Sequence, residues 1–146
     1  MTYTRRKSHE IKVGNICIGG NNPIRVQSMT NTSTMDTEAS VAQILRIAEA
    51  GGELVRLTTQ GIREAENLKN IQKAIRRDGF NTPLCADVHF NPNVADVAAR
   101  IAEKVRINPG NYVDPARKFV KHEYTDEEYA QELRKIDERF VPFLNI

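Results

Sequence analysis

Short runs in which apolar and polar residues alternate take turns along this chain with longer runs of helical period. Ile11-Lys12-Val13 and Ile16-Cys17-Ile18 flank Gly14-Asn15. That pattern predicts a tight β-hairpin, with the glycine and the asparagine both at positive φ. Asn21-Asn22-Pro23 then predicts a turn into a strand over residues 24–29. The stretch 30–37 is rich in Thr, Ser and Asn and reads as a loop, with Asp36 placed to cap the helix that follows. Val41, Ile44, Leu45 and Ala48 give that helix one apolar face, and Gly51-Gly52 ends it. A strand follows over 53–58. A helix over 62–77 buries Ala65, Leu68, Ile71 and Ile75, and stops at Asp78-Gly79. The next strand covers 83–89. Asn91-Pro92 opens a third helix, with Val94, Val97, Ala98 and Ile101 on its apolar face. A fourth strand covers 104–108.

After the hairpin the order is β-α-β-α-β-α-β, which implies parallel strands joined by right-handed crossovers. No strand runs into Gly-x-Gly-x-x-Gly or a Walker sequence, so a Rossmann dinucleotide site or a P-loop is disfavoured. The reading is an α/β fold: a small open sheet, or the N-terminal half of a (β/α)8 TIM-type barrel preceded by a β-hairpin. It divides the chain into a hairpin (1–22), four βα strands (23–111), and a loop with a helix (112–146). Residues 112–121 read as irregular. Thr125-Asp126-Glu127-Glu128 is a capping box, with Tyr124 and Tyr129 spaced for a hydrophobic staple. Tyr129, Leu133, Ile136 and Phe140 share one face of the last helix. The apolar pattern still runs at Phe143-Leu144-Asn145-Ile146, which predicts a piece of a longer polypeptide.

The chain's 146 residues suffice for one domain with a sizeable core. Its 40% hydrophobic and 27% charged content is ordinary for a globular protein. A net charge of +2, with the basic residues dispersed, argues against nucleic acid. The one basic triplet, Arg5-Arg6-Lys7, reads as a solvated tail. No apolar run is long enough to span a bilayer. The two cysteines, Cys17 and Cys85, sit in apolar segments without metal-ligand spacing, so reduced cytoplasmic thiols are expected.

Charged and polar residues interrupt three of the predicted strands. Arg106 lies between Val105 and Ile107, just before the turn Asn108-Pro109-Gly110-Asn111. Arg56 lies in Leu54-Val55-Arg56-Leu57-Thr58, and Asp87 and His89 in Leu84-Cys85-Ala86-Asp87-Val88-His89. A buried charge without a partner is costly, and α/β proteins build their sites at the C-terminal ends of parallel strands. Period-two alternation places Arg56 with Thr58, Asp87 with His89, and Arg106 with Asn108 on the same sides of their strands. Two guanidinium groups with amide donors suit a phosphate or diphosphate. The competing reading pairs Arg56 with Asp87, or with a helix glutamate, as a structural ion pair in a cofactor-free phosphate-binding or interaction module. His89 reads as a general acid or base, a phosphate ligand or a capping residue. Cys85 reads as a packed core thiol.

Four stretches together resemble the N-terminal part of the 4-hydroxy-3-methylbut-2-enyl diphosphate synthases, the GcpE family. They are residues 23–32 (Pro-Ile-Arg-Val-Gln-Ser-Met-Thr-Asn-Thr), Glu53-Leu54-Val55-Arg56-Leu57-Thr58, Ala86-Asp87-Val88-His89-Phe90, and Arg106-Ile107-Asn108-Pro109-Gly110-Asn111. They occur in family order over nearly the whole chain. The resemblance implies a (β/α)8 barrel that binds 2-C-methyl-D-erythritol 2,4-cyclodiphosphate. It implies an oxidoreductase of the non-mevalonate isoprenoid pathway that opens this ring reductively. Electrons would come from ferredoxin or flavodoxin through a [4Fe-4S] cluster held by a separate C-terminal domain. On this reading Arg56, Arg106 and Asn108 match diphosphate-holding positions. Asp87 and His89 match polar positions of the same pocket, and Gln27 and Met29 lie on its first strand. The cluster cysteines match nothing here, since Cys17 and Cys85 are elsewhere in the pattern. Residues 112–146 resemble the longer class of the family, with an extra domain between barrel and cluster domain. The chain alone is then expected to be inactive, the whole protein cytoplasmic and open to homodimer formation.

Overall fold

The computed structural model describes residues 6–113 and 123–146. Most of the segment expected to be irregular, and Arg5 of the basic triplet, lie outside them. Strands β1 (Ile11–Val13) and β2 (Ile16–Ile18) form the antiparallel hairpin, with Val13 opposite Ile16. Gly14 has φ 57°, but Asn15 is not in the left-handed region. The expectation of two left-handed residues is thus corrected: the turn needs positive φ only at its first central position, which glycine adopts without strain.

The remaining elements are β3 (Gln27–Met29), α1 (Thr37–Glu49), β4 (Leu54–Thr59), α2 (Ile62–Arg77), β5 (Leu84–Val88), α3 (Pro92–Ala99), β6 (Lys104–Arg106), a 3₁₀ turn (Pro109–Asn111) and α4 (Asp126–Leu144). Strands β3 to β6 form one parallel sheet in sequential order. Such sequential order is that of a barrel's opening strands.

The two faces of this sheet differ in kind. Val55, Leu57, Leu84, Ala86 and Val88 pack into a large core with Ile44 of α1, the four expected α2 residues Ala65, Leu68, Ile71 and Ile75, and Val94, Ala95 and Ala98 of α3. On the other face Leu54 and Cys85 form a small cluster with Val13, against which Ile16 and Ile18 pack. The hairpin therefore covers the N-terminal end of the helix-free face.

Helix ends follow the sequence signals. Asp36 accepts a hydrogen bond from the Ala39 amide, and Asn91 one from the Asn93 amide. Gly51 (φ 94°) and Gly79 (φ 87°) turn the chain out of α1 and α2. Thr125 and Glu128 form the expected capping box of α4. Tyr124 and Tyr129 both remain exposed.

Some expected boundaries move. The strand expected over 24–29 shrinks to Gln27–Met29. Ile24 is 98% exposed, and the Val26 amide donates to the Glu53 carboxylate rather than to a strand. The strand expected over 104–108 ends at Arg106, because the Asn108 side chain accepts from the Gly110 amide and starts the 3₁₀ turn. On α1 only Ile44 of the expected face is fully buried, while Val41 and Leu45 are partly buried. On α3 the buried residues are Val94, Ala95 and Ala98, while Val97 and Ile101 are partly buried. Phe140 and Phe143 of α4 pack against Tyr112, but Leu133 is exposed. Among the described residues no helix is long and apolar enough to cross a membrane.

Candidate functional site

Register decides which polar side chains can meet. Met29 pairs with Arg56, Arg56 with Cys85, and Cys85 with Lys104. One level higher, Thr58 pairs with Asp87 and Asp87 with Arg106. Paired residues in a parallel sheet share a face, and the interleaved residues Val55, Leu57, Ala86 and Val88 fill the helix-side core. Arg56, Asp87 and Arg106 therefore sit on the helix-free face, toward the C-terminal ends of the strands.

Asp87 is the hub of this face. Its side chain is only 3% exposed. Oδ2 lies 3.1 Å from Nη2 of Arg56 and 3.2 Å from Nε2 of His89. Oδ1 accepts from Nη1 of Arg106 at 3.2 Å. The carboxylate is thus satisfied and neutralised, as a buried charge must be. Two guanidinium groups face one carboxylate, so the cluster keeps an excess of positive charge. The arginine side chains are 32% and 37% exposed, leaving donors for a further partner. The buried Nε of Arg56 has no hydrogen-bond partner. Nε2 of His89 also lies 3.4 Å from Nη1 of Arg106. Arginine can only donate, so this nitrogen accepts from Arg106 in one tautomer and donates to Asp87 in the other. An anion that engages Arg106 bears directly on that choice.

The expected residues do not all converge. Arg56, Asp87, His89 and Arg106 do. Asn108 spends its side-chain oxygen on the Gly110 amide. Met29 is exposed and shares the level of Arg56. Gln27 lies at the other end of the sheet, where it lines a cavity of about 760 Å³ with Arg25, Lys104 and hairpin residues. That cavity lies away from the Asp87 cluster. The sequence reading missed Lys104, although the alternation Lys104, Arg106, Asn108 carries the signal.

The loop between β3 and α1 is tied down on three sides. The Thr34 hydroxyl donates to the Thr58 carbonyl, Asn67 of α2 donates to the Thr34 carbonyl, and the Asn31 and Gln43 side chains are paired. These bonds hold the loop against β4, α1 and α2.

The cysteines do not fit an iron-sulfur cluster, which takes several thiolates. The whole sequence has only two. Cys85 is buried, and burial pushes its thiol pKa up despite the cations Lys104, Arg56 and Arg106. Among the described residues no group of three or more His, Cys, Asp or Glu is arranged to hold a metal ion.

A parallel βα sheet in sequential strand order, with two arginines and a buried carboxylate on its helix-free face, defines a barrel-type α/β protein. Comparison with known proteins narrows the class. The GcpE TIM-barrel domain matches residues 8–141, so the chain belongs to the GcpE family. It is 72% identical over 144 residues to a 4-hydroxy-3-methylbut-2-en-1-yl diphosphate synthase (flavodoxin) of Phocaeicola vulgatus, covering 99% of this chain and 24% of that protein. The protein of the same name from Bacteroides thetaiotaomicron is 69% identical over 144 residues, with the same coverage of both. That from Akkermansia muciniphila is 50% identical over 142 residues, covering 97% of this chain and 24% of that protein. The chain thus spans about a quarter of the length of these relatives.

Proposed function

We propose that this chain is the substrate-anchoring, N-terminal part of a (β/α)8 barrel within a longer oxidoreductase of isoprenoid biosynthesis. Its organisation is the one read from the sequence: a hairpin (1–22), the first four βα strands (23–111), and a loop and helix (112–146). The substrate of the whole enzyme is 2-C-methyl-D-erythritol 2,4-cyclodiphosphate, which it opens reductively to 4-hydroxy-3-methylbut-2-enyl diphosphate. The relatives' name supports this product and a flavodoxin electron donor. Ferredoxin is the other donor class. The whole enzyme works in the cytoplasm, as the two reduced thiols suggest.

The carrying observation is the Asp87 hub, which holds two partly exposed arginines from the two strands that flank its own. Arg56 and Arg106 bind phosphoryl oxygens with the donors that Asp87 leaves free. Asp87 fixes both guanidinium planes, so little side-chain entropy is lost on binding. His89 donates a hydrogen bond from Nε2 to Asp87 or accepts one there from Arg106, according to its tautomer. Asn108, Met29 and Gln27 are secondary candidates, Gln27 the most remote. A [4Fe-4S] cluster would supply the electrons from outside this chain, and no residue here fits as its ligand.

Calorimetric titration of the cyclodiphosphate into a full-length enzyme carrying this segment tests the reading. Arg56→Ala and Arg106→Ala should each weaken binding by about 1–3 kcal/mol, the scale of a lost charge-assisted hydrogen bond. Wild-type affinity in both variants would refute the assigned roles. One observation favours a second reading: Arg56 does pair with Asp87, as a structural ion pair in a cofactor-free module would. Absence of any cyclodiphosphate binding to the full-length protein would select that reading.

A further inference from the structure

The turn after β5 breaks a conformational rule. Phe90 has φ 57° and is the one non-glycine residue at positive φ among the described residues. A bulky side chain there is strained. Glycine would carry the same turn at no such cost, as it does at Gly14, Gly51 and Gly79. Strain of this kind persists where the side chain has a use.

Core packing does not account for that use. Phe90 belongs to neither apolar cluster and is 38% exposed. Its ring lies beside His89, with centroids 6.1 Å apart and planes tilted by 38°. His89 in turn contacts Asp87 and Arg106. The next residue, Asn91, already caps α3. An exposed apolar ring is therefore fixed beside a cationic cluster, between the end of β5 and the start of α3.

We propose that Phe90 is a ligand-contacting residue that forms an apolar wall of the anion site. Its preferred ligand is then an organic diphosphate whose carbon frame lies against the ring while its phosphoryl groups meet Arg56 and Arg106. This rests on the anion-binding reading above and adds the recognition of carbon to it. Arginines alone would hold inorganic pyrophosphate equally well. A ring beside them gains apolar burial only from a ligand that carries carbon there, and so discriminates between the two.

The test titrates the cyclodiphosphate and inorganic pyrophosphate into a full-length enzyme carrying Phe90, Phe90→Gly or Phe90→Tyr. Phe90→Gly should bind the cyclodiphosphate about tenfold more weakly, the effect of losing partial burial of an aromatic ring. It should bind pyrophosphate as the wild type does, with no loss in thermal midpoint, because glycine relieves the strained φ. Phe90→Tyr keeps the ring and should retain both affinities. Unchanged cyclodiphosphate binding in Phe90→Gly would overturn the proposal. So would a parallel loss of both ligands with a lowered thermal midpoint, which marks a purely structural turn. The two readings fail separately. If Arg56→Ala weakens binding and Phe90→Gly does not, only the role of Phe90 falls. If the wild type binds neither ligand, the anion site falls and this inference with it.

Discussion

Two guanidinium groups and an imidazole share the carboxylate of Asp87, whose side chain is almost wholly buried. Removing that one negative charge leaves Arg56 and Arg106, on the strands either side of β5, with no counter-charge between them. Asp87→Asn is nearly isosteric, so its effect reports charge rather than volume. We expect it to destabilise the chain by about 1–3 kcal/mol, because the arginines are partly exposed and water recovers some of the loss. Urea denaturation measures this, and unchanged stability would mean that the arginines are solvated enough to need no partner. The residue types at this site were legible in the sequence, since a charged side chain inside an apolar strand is conspicuous. Their sharing of one carboxylate was not, because it depends on the register between strands far apart in sequence. The strained backbone of Phe90 was likewise hidden, since nothing in its residue type favours positive φ.

Between elements, Glu53 acts as a clamp. Its carboxylate accepts from the Val26 amide and from Arg25, while Arg25 also donates to the Cys17 carbonyl of the hairpin. One ion pair thus joins β2, the segment before β3, and β4. The Val26 amide, and then Arg25, hold the Glu53 carboxyl below the ordinary carboxylate range. A lowered folded-state pKa means stability that is fully present above the ordinary value and lost as pH falls through the folded value. Glu53→Gln should therefore melt below the wild type at neutral pH, and the gap should close as the solution is acidified below the carboxylate range. Thermal melts from pH 7 to about pH 3 test this. A gap that persists in acid would mean that the clamp works through shape and not charge. Helix positions were well read at this scale because caps and glycine stops are local signals. The edges of β3 and β6 were misjudged because the Glu53 side chain takes over the Val26 amide that the apolar pattern assigned to a strand, and because Asn108 caps a 3₁₀ turn instead of extending β6.

At the scale of the whole chain, the sheet ends in β3 on one side and β6 on the other. Among the described residues neither strand pairs with another on its outer side, and Ile24, Val26 and Met29 are exposed beside β3. On α4, Leu133, Val141 and Leu144 are exposed as well. Open edges beside apolar residues favour strand pairing between molecules. The 16.5 kDa chain expressed alone should therefore elute from gel filtration as dimers or larger species. A monodisperse monomer would instead support the self-contained module. The parallel βα architecture was readable because the alternation of periods two and 3.6 spans the whole sheet. Which elements remain uncovered was not, since exposure depends on what packs where.

The sequence by itself determined the order of strands and helices, most of their caps, the buried stripe of α2 and the identity of the charged residues at the strand ends. These follow from interactions between residues a few positions apart, which composition and spacing encode directly. Only the tertiary structure decided that Arg56, His89 and Arg106 converge on Asp87, that Gln27 belongs to the opposite end of the sheet, and that Phe90 is held beside the cluster. Those facts depend on the lateral register of parallel strands. In this fold that register is set by the packing of helices and hairpin against the two faces of the sheet, and no local pattern records it.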